Sequence, residues 1–247
     1  MTENGWAAAA PATALVLVED YDRPPGADRV ISGADGHHLQ RVRRLGVGER
    51  IVVADGAGRW HLTEVESCGD ATLTVVPVGP PSEEPQPTPR ITIAFAPAKS
   101  DHGTEVVHQL VELGVDRIVP LITERSVVRW DGVRGERALE KLRRVVRAAA
   151  VQCHRARLPA LESPATVAAV ASRHGLMLAA PDGGPIDPVH RADAEEWCVA
   201  IGPEGGCTTG EVAAFGPVPR IAVGPHILRS VTAPIAVASA LVVQRRR

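Results

Sequence analysis

The amino-acid sequence predicts an α/β protein in which a small all-β domain precedes a larger domain built on a mainly parallel sheet. Residues 15–78 contain short runs of β-branched residues, divided by turns. Residues 79–90 are too rich in proline for regular structure and predict a linker between domains. From Ile91 onward, strand-like and helix-like segments alternate, a pattern typical of a parallel sheet covered by helices on both faces.

The first domain is predicted to contain four strands and a short helix. The helix falls within residues 33–49, where Leu39, Val42 and Leu45 recur at three-residue spacing. The glycine-rich residues 55–58 lie between two strands, so they predict a hairpin turn rather than a phosphate loop. The strands are predicted at residues 15–20, 50–55, 60–67 and 71–78.

The N-terminal residues and a pair of histidines give two further predictions. Residues 1–14 lack the basic start of a secretory signal and are expected to be disordered. His37 and His38 are adjacent and therefore face different ways on a helix, so we expect one packed and one solvated histidine rather than a metal pair.

The second domain is predicted to begin with a buried strand and to finish with an apolar helix. A helix over residues 104–113 ends at Gly114, which suits a C-cap, and a helix over residues 136–152 has one apolar face. Arg245 and the two arginines after it are expected to form a disordered tail. The other predicted elements are strands at residues 91–98, 117–122, 175–181, 197–203 and 220–225 and a helix at residues 231–243.

Composition limits the classes of function. The chain has 247 residues, of which 45% are hydrophobic, but it has no apolar stretch long enough to span a membrane. Its four cysteines are scattered without a C-x-x-C pair, which predicts reduced thiols in a cytoplasmic protein and no metal site. A net charge of −2 argues against a protein that coats nucleic acid by bulk electrostatics. Only two of the 27 basic residues are lysines, which reflects either codon preference or bidentate contacts with phosphates.

Two glycine-proline loops near the C-terminus are the main functional signal. Residues 197–206 read WCVAIGPEGG, and residues 220–234 read RIAVGPHILRSVTAP. Each loop follows a strand and precedes a helical pattern, and the first has a capping box from Thr208 to Glu211. Neither loop has the Walker or the G-x-G-x-x-G spacing, and a single copy would merely cap a helix. Side by side, the two loops predict a pocket of backbone amides suited to a small polar cofactor.

Arginines provide the other candidate residues. Arg229 lies just before a helix, where a cation is unfavourable for the helix dipole, so it is expected to meet an anionic partner or to form a structural salt bridge. Several other arginines are candidates for RNA contact, with a solvated charged surface as the alternative for each. They are Arg41, Arg43, Arg44, Arg125, Arg129, Arg155 and Arg157.

Taken in order, these motifs resemble the ribosomal RNA small subunit methyltransferase E family, a member of the SPOUT (trefoil-knot) class of S-adenosylmethionine enzymes. Residues 37–58 resemble its PUA-like RNA-binding domain. The landmarks of its catalytic domain are matched by Lys99 with Glu105, by VELGV at residues 111–115, by TERS at residues 123–126 and by residues 148–159. The two glycine-proline loops fall where the family has its cofactor loops.

The resemblance implies a fold, a cofactor and a reaction. Residues 15–78 would form a PUA-like β-barrel, and residues 91–247 a knotted SPOUT domain that pairs as a homodimer. The enzyme would use S-adenosylmethionine, without a metal, to methylate N3 of one uridine in the 16S rRNA of the small ribosomal subunit. The residues implied to bind the cofactor are Leu178, Ala179, Gly202, Pro203, Glu204, Gly205, Gly206, Val223, Gly224, Ile227, Leu228, Thr232 and Ala233.

The chain departs from the family pattern at several positions. Val231 replaces an acid, His226 an arginine, Cys207 a frequent aromatic residue and Val151 an acid. Position 231 therefore offers no carboxylate base, and Arg229 is the one residue assigned to catalysis. Two alternatives stay open: a ribosome-binding factor with weak or no catalysis, and a small-molecule enzyme that binds a nucleotide.

Overall fold

The computed structural model describes residues 12–21, 28–98, 102–128, 130–186 and 194–245. They form two compact units, one of Met1–Gln86 with Ala150–Leu158, the other of Pro87–Ala149 with Pro159–Arg247. Most of the predicted disordered start lies outside the described residues, and Ala14 already belongs to the first strand.

The first unit is built on a six-stranded sheet. The elements are β1 (Ala14–Leu17), β2 (Arg29–Ile31), α1 (Gly33–His37), a π-helical turn (His38–Val42), β3 (Arg50–Ala54), β4 (Arg59–Cys68), β5 (Leu73–Pro77) and β6 (Ser82–Glu83). The strands run in the order β1-β3-β4-β5-β2, with β6 beside β4; β1 and β3 are parallel, and the other neighbours are antiparallel. The described pairings leave β1 and β2 outermost, so closure into a barrel stays a prediction.

Both faces of the first sheet are covered, which explains why β1 and β3 are continuous apolar runs. Val16 and Val53 pack on one face, in a cluster that includes Leu39 of the π-helical turn. Leu17 and Val52 pack on the other face, in a cluster completed by Ala156. The return of the chain to the first unit at Ala150–Leu158 therefore adds Ala156, with the partly buried Val151 and Leu158, to the second of these clusters.

The predicted short helix is present as α1 and the π-helical turn, in which Leu39 is buried and Val42 is 61% exposed. Two predictions for the first unit are wrong. His37 and His38 are both exposed. The proline-rich segment contains a strand, since β6 pairs with Arg59 and Trp60 of β4.

The second unit is a parallel α/β domain. The elements are β7 (Arg90–Phe95), α2 (His102–Leu113), β8 (Arg117–Ile122), α3 (Gly132–Gln152), β9 (Ala160–Leu161), β10 (Ala165–Thr166), α4 (Val167–Ala171), β11 (Leu176–Gly184), β12 (Glu196–Ile201), α5 (Thr209–Ala214), β13 (Arg220–Ile221) and α6 (Thr232–Arg245). The sheet has the order β10-β8-β7-β12-β11-β13, with β9 beside β8, and all its described pairings are parallel, as predicted.

The parallel arrangement decides where polar side chains collect. At the amino ends of the strands, Arg117 and Arg173 share the carboxylates of Glu162 and Glu196 in one ion-pair network. At the opposite edge, β11, β12 and β13 are neighbours, so the loops that follow them meet at one place.

The C-terminal helix corrects the prediction of a disordered tail at Arg245. This residue is the last of α6, and its guanidinium donates to the Asp116 carboxylate and, at 2.9 Å, to the Gly114 carbonyl oxygen. The side chains of Arg245 and Asp116 are only 11% and 8% exposed. The two arginines after it lie outside the described residues.

Candidate active site

A cavity of about 470 Å³ lies at the carboxyl ends of β11, β12 and β13. Two loops form most of its wall: the first loop, residues 202–208, follows β12, and the second loop, residues 222–231, follows β13. The end of β11 and one side of α6 complete the lining. The structure thus brings together the two glycine-proline loops that the sequence singles out.

Most residues implied to bind a cofactor line this cavity. Gly205 and Thr232 are outside the lining, the first turned toward the loop after β8 and the second at the start of α6. Those that line it are Leu178, Ala179, Gly202, Pro203, Glu204, Gly206, Val223, Gly224, Ile227, Leu228 and Ala233. Arg229 lines it too.

The first loop needs glycine at two positions for different reasons. A Cβ added to Gly202 would lie 2.9 Å from the Cys207 sulfur, so a larger residue there would displace the Cys207 side chain. Gly206 has a φ of +67°, in the left-handed region, and its N–H donates to the Pro203 carbonyl at 2.8 Å. The predicted capping box is confirmed, because the Thr208 and Glu211 side chains each bind the other's backbone N–H.

The second loop is joined to the first by a side-chain hydrogen bond. Ser230 is buried, and its hydroxyl donates to the Glu204 carboxylate. The Arg229 carbonyl accepts from the N–H groups of Thr232 and Ala233, both at 2.9 Å, where α6 begins. Arg229 itself is exposed and lines the cavity, and within the described ranges its guanidinium forms no ion pair.

Several residues of the cavity were missed by the sequence reasoning. Ser230 carried no signal because the partner of its hydroxyl is 26 residues away. Arg220 lines the cavity and forms a 2.6 Å ion pair with Asp182 of β11, again a long-range contact. Cys207 and His226 also line the wall, and the sequence marked them only as departures from a family pattern.

The Cys207 thiol is electrostatically unsuited to act as a nucleophile. Burial, followed by the nearby Glu211 carboxylate, raises the pKa of this thiol above its ordinary value of 9.0, and Arg125 offsets this only in part. The group therefore stays protonated near neutral pH, whereas covalent catalysis requires a thiolate. Cys207 acts as a packing residue of the first loop.

The arginines predicted to contact RNA occupy varied environments. In the first unit, Arg41 forms an exposed ion pair with Asp70, and Arg43 donates to the Thr13 carbonyl. Arg44 is exposed, and Arg155 is half-buried.

The structure gives Arg157 a structural role in the first unit, not that of a free cation on its surface. Its guanidinium binds the Glu84 carbonyl at 2.8 Å and the Glu83 carboxylate at 3.2 Å. In the second unit, Arg125 donates to the Gly205 carbonyl, and Arg129 lies outside the described residues, as does Lys99.

Comparison with protein families agrees with this architecture. Residues 84–242 match the model of an RNA methyltransferase domain, and residues 31–78 match that of an RNA methyltransferase PUA domain. The chain is 33% identical, over 241 residues, to the ribosomal RNA small subunit methyltransferase E of Mycobacterium bovis, with 89% of this chain and 88% of the relative covered. The chain belongs to the ribosomal RNA small subunit methyltransferase E family. The resemblance drawn from its motifs is therefore confirmed.

Other members of the ribosomal RNA small subunit methyltransferase E family and solved structures extend the comparison. The relative from Synechocystis is 31% identical, with 83% of this chain and 69% of the relative covered. A methyltransferase of Legionella pneumophila, solved in complex with its cofactor SAM, aligns with a TM-score of 0.78 at 26% identity over 92% of this chain and 95% of that one. The family enzyme of Neisseria gonorrhoeae, at 22% identity over 92% and 96% of the two chains, shares the fold with a TM-score of 0.79.

Neither a membrane span nor a metal cluster is found in the part of the chain that the structure describes. None of its helices there is long and apolar enough to cross a bilayer. The same ranges contain no group of three or more histidine, cysteine or acidic side chains arranged to hold a metal ion.

Proposed function

We propose that this chain transfers a methyl group from S-adenosylmethionine to ring nitrogen N3 of one uridine in the 16S rRNA of the small ribosomal subunit. The observation that supports this most is the cavity between the first and second loops, in a chain of an rRNA methyltransferase family. The relative from L. pneumophila, which shares the fold, is described with SAM bound.

The cavity residues fit S-adenosylmethionine in size and chemistry. A volume of about 470 Å³ lies within the roughly 300–1,000 Å³ typical of small-molecule sites. An added Cβ at Gly224 would meet no heavy atom within 4 Å, so the loop leaves open space where a ligand can approach the backbone. The backbone of both loops, with Leu178 and Ala179, would hold the adenine and methionine parts. When bound, this cofactor supplies a methyl group already activated by its sulfonium charge.

Arg229 is the residue proposed to act on the RNA. Uridine N3 carries a weakly acidic proton, and loss of that proton spreads negative charge over two carbonyl oxygens of the ring. An exposed guanidinium at the cavity mouth would stabilise that charge or a neighbouring phosphate. Val231 cannot accept the proton, and the protonated Cys207 thiol cannot attack the ring. The target base has to be unstacked to reach the cavity.

The proposed enzyme works as a homodimer, with the knotted SPOUT domain and the cytoplasmic location that the family resemblance implies. In support, the Ile227 side chain is 82% exposed beside the cavity, where a second subunit or the substrate would cover it.

Light scattering of the purified protein is expected to give the mass of two chains. The mass of one chain at micromolar concentration would contradict the dimer.

Calorimetry separates this proposal from the small-molecule alternative. S-adenosylmethionine and its product S-adenosylhomocysteine are expected to bind with one site per chain, while ATP and NAD are expected not to bind. Tight binding of ATP or NAD alone would instead identify a nucleotide-dependent enzyme.

The alternative of a ribosome-binding factor without chemistry rests on the missing carboxylate at position 231. Purified protein, S-adenosylmethionine and unmodified small ribosomal subunits are expected to yield 3-methyluridine in 16S rRNA. Binding to the subunit without any methyl transfer would favour the factor.

A further inference from the structure

A short rigid turn follows β8 and reaches the first loop; we call residues 123–126 the third loop. Its shape is fixed internally, because the Thr123 N–H donates to the Ser126 hydroxyl oxygen at 3.0 Å and the Ser126 N–H donates to the Thr123 carbonyl at 3.1 Å. The two hydroxyl oxygens are also 2.9 Å apart, and Thr123 is buried. A turn held this way offers a firm support for a neighbouring loop.

The Arg125 side chain extends from the third loop along the backbone of the first. Its Nη1 donates to the Gly205 carbonyl at 2.6 Å. A Cβ added at Gly205 would lie 3.4 Å from Arg125 Cδ and 3.7 Å from Arg125 Cβ, so the aliphatic stem also packs on this glycine. The contact thus combines a charge-assisted hydrogen bond with packing.

The buried carboxylate of Glu211 joins the same two loops a second time. It accepts the Glu124 N–H at 2.7 Å on one oxygen and the Thr208 N–H at 2.8 Å on the other. Glu211 is only 7% exposed, and both of its carboxylate oxygens are satisfied by backbone donors from different loops. Together with the Ser230 hydroxyl at Glu204, these contacts hold the first loop at Glu204, Gly205 and Thr208.

We propose that Arg125 is a positioning residue of the cofactor site: its guanidinium holds the first loop in the conformation that lines the cavity. The inference rests on the proposed function, in which that cavity takes S-adenosylmethionine. Without the guanidinium, only a fraction of molecules keeps the binding-competent loop, and the apparent Kd rises by the inverse of that fraction. The affinity for the cofactor therefore depends on Arg125 even when no RNA is present, which a residue that only contacts RNA would not require.

Calorimetric titration of RNA-free protein with S-adenosylhomocysteine tests this dependence. Arg125→Ala is expected to raise the Kd by about tenfold, in line with the loss of one hydrogen bond to a charged donor. Arg125→Lys, which keeps one cationic donor, is expected to fall between wild type and alanine. The matched control is Arg144→Ala on the exposed surface of α3, which should leave the Kd unchanged.

A second measurement shows whether the effect acts through the loop. Hydrogen exchange of a peptide spanning residues 202–212, in the absence of ligand, should be faster in Arg125→Ala than in wild type. The melting temperature should fall by only a few degrees, because Arg125 is exposed and contributes one hydrogen bond to the fold. If Arg125→Ala does not fold, Arg125→Lys and Arg125→Gln provide the same two readouts.

The outcomes distinguish the positioning role of Arg125 from the proposed function of the cavity. A wild-type Kd in folded Arg125→Ala, or unchanged exchange of the first loop, overturns the positioning role and leaves the proposed function standing. Failure of the wild-type protein to bind S-adenosylhomocysteine overturns the proposed function itself.

Discussion

At the residue scale, the proposed chemistry depends on Arg229, which is exposed and lines the cavity. Two residues later the chain has Val231, which offers no carboxylate to accept a proton. Catalysis in such a site depends on fixed positive charge near the developing anion and on the alignment of the reacting atoms. Arg229 is therefore the side chain whose removal should affect turnover most selectively.

Arg229→Ala is expected to lower methyl transfer by about 100-fold, the loss typical of one charge-stabilising donor. Its affinity for S-adenosylhomocysteine should stay within about twofold, because the cavity is lined largely by backbone and apolar groups. Single-turnover kinetics and calorimetry on the same preparation measure both quantities. Normal turnover would remove Arg229 from the mechanism.

Residue-level prediction from sequence succeeded where the signal was local. Glycines that close the first loop, and the capping box at Thr208, depend on neighbours in the chain and could be recognised from spacing alone. The partners of Ser230 and Arg125 are 26 and 80 residues away. No local sequence pattern predicts contacts between residues so far apart in the chain. The contacts of Ser230 and Arg125 that hold the first loop are therefore seen only in the structure.

At the scale of elements, apolar patterns in the sequence predicted most strands and helices. The sequence did not predict the polar contact that holds the end of α6. β8 was predicted with its observed bounds because a buried parallel strand is a continuous apolar run. β6 and β2 are short, at two and three residues, and offer no pattern to read. The end of α6 was missed because its anchor, Arg245, looks like any basic terminal residue until Asp116 is placed beside it.

Arg245→Ala is expected to reduce the free energy of unfolding of the second unit by about 3 kcal/mol, since it removes the guanidinium that stabilises the charge of the buried Asp116 carboxylate. Arg143→Ala is the control, because its ion pair with Glu140 is exposed and should contribute less than about 1 kcal/mol. Urea unfolding followed by circular dichroism measures both. Equal effects of the two substitutions would contradict a special role for the α6 anchor.

At the scale of the whole molecule, the order of motifs along the chain predicted the family, the two-domain plan and the parallel sheet. The chain's return to the first unit at Ala150–Leu158 was not predicted, since it depends on contacts such as those of Ala156 with a distant sheet. That return also brings His154 into the first unit, where Arg43 acts on it electrostatically. His61 of β4 has a comparable environment near Arg29.

The stability of the first unit is expected to fall as the pH drops below about 6.5. Burial first, and then a neighbouring arginine, lowers the pKa of His61 and of His154 below the ordinary value of 6.5. Unfolded chains therefore bind more protons than folded ones in this range, so the free energy of unfolding decreases with falling pH. Well above about pH 6.5, both histidines are neutral in the folded and in the unfolded chain, so they no longer make the free energy of unfolding depend on pH.

Thermal unfolding between about pH 7.5 and about pH 5.5 measures this dependence. The double variant His61→Asn, His154→Asn should show a shallower loss of melting temperature than wild type, because the two titrating groups are absent. An identical slope would assign the pH dependence to carboxylates alone.

The central proposal is that the cavity between the first and second loops serves the methylation of uridine N3 in 16S rRNA. Nucleoside mass spectrometry of 16S rRNA from a strain that lacks the gene tests it most directly. One 3-methyluridine is expected to disappear in that strain and to return when the wild-type gene, but not Arg229→Ala, is restored. An unchanged level of 3-methyluridine in the deletion strain would contradict it.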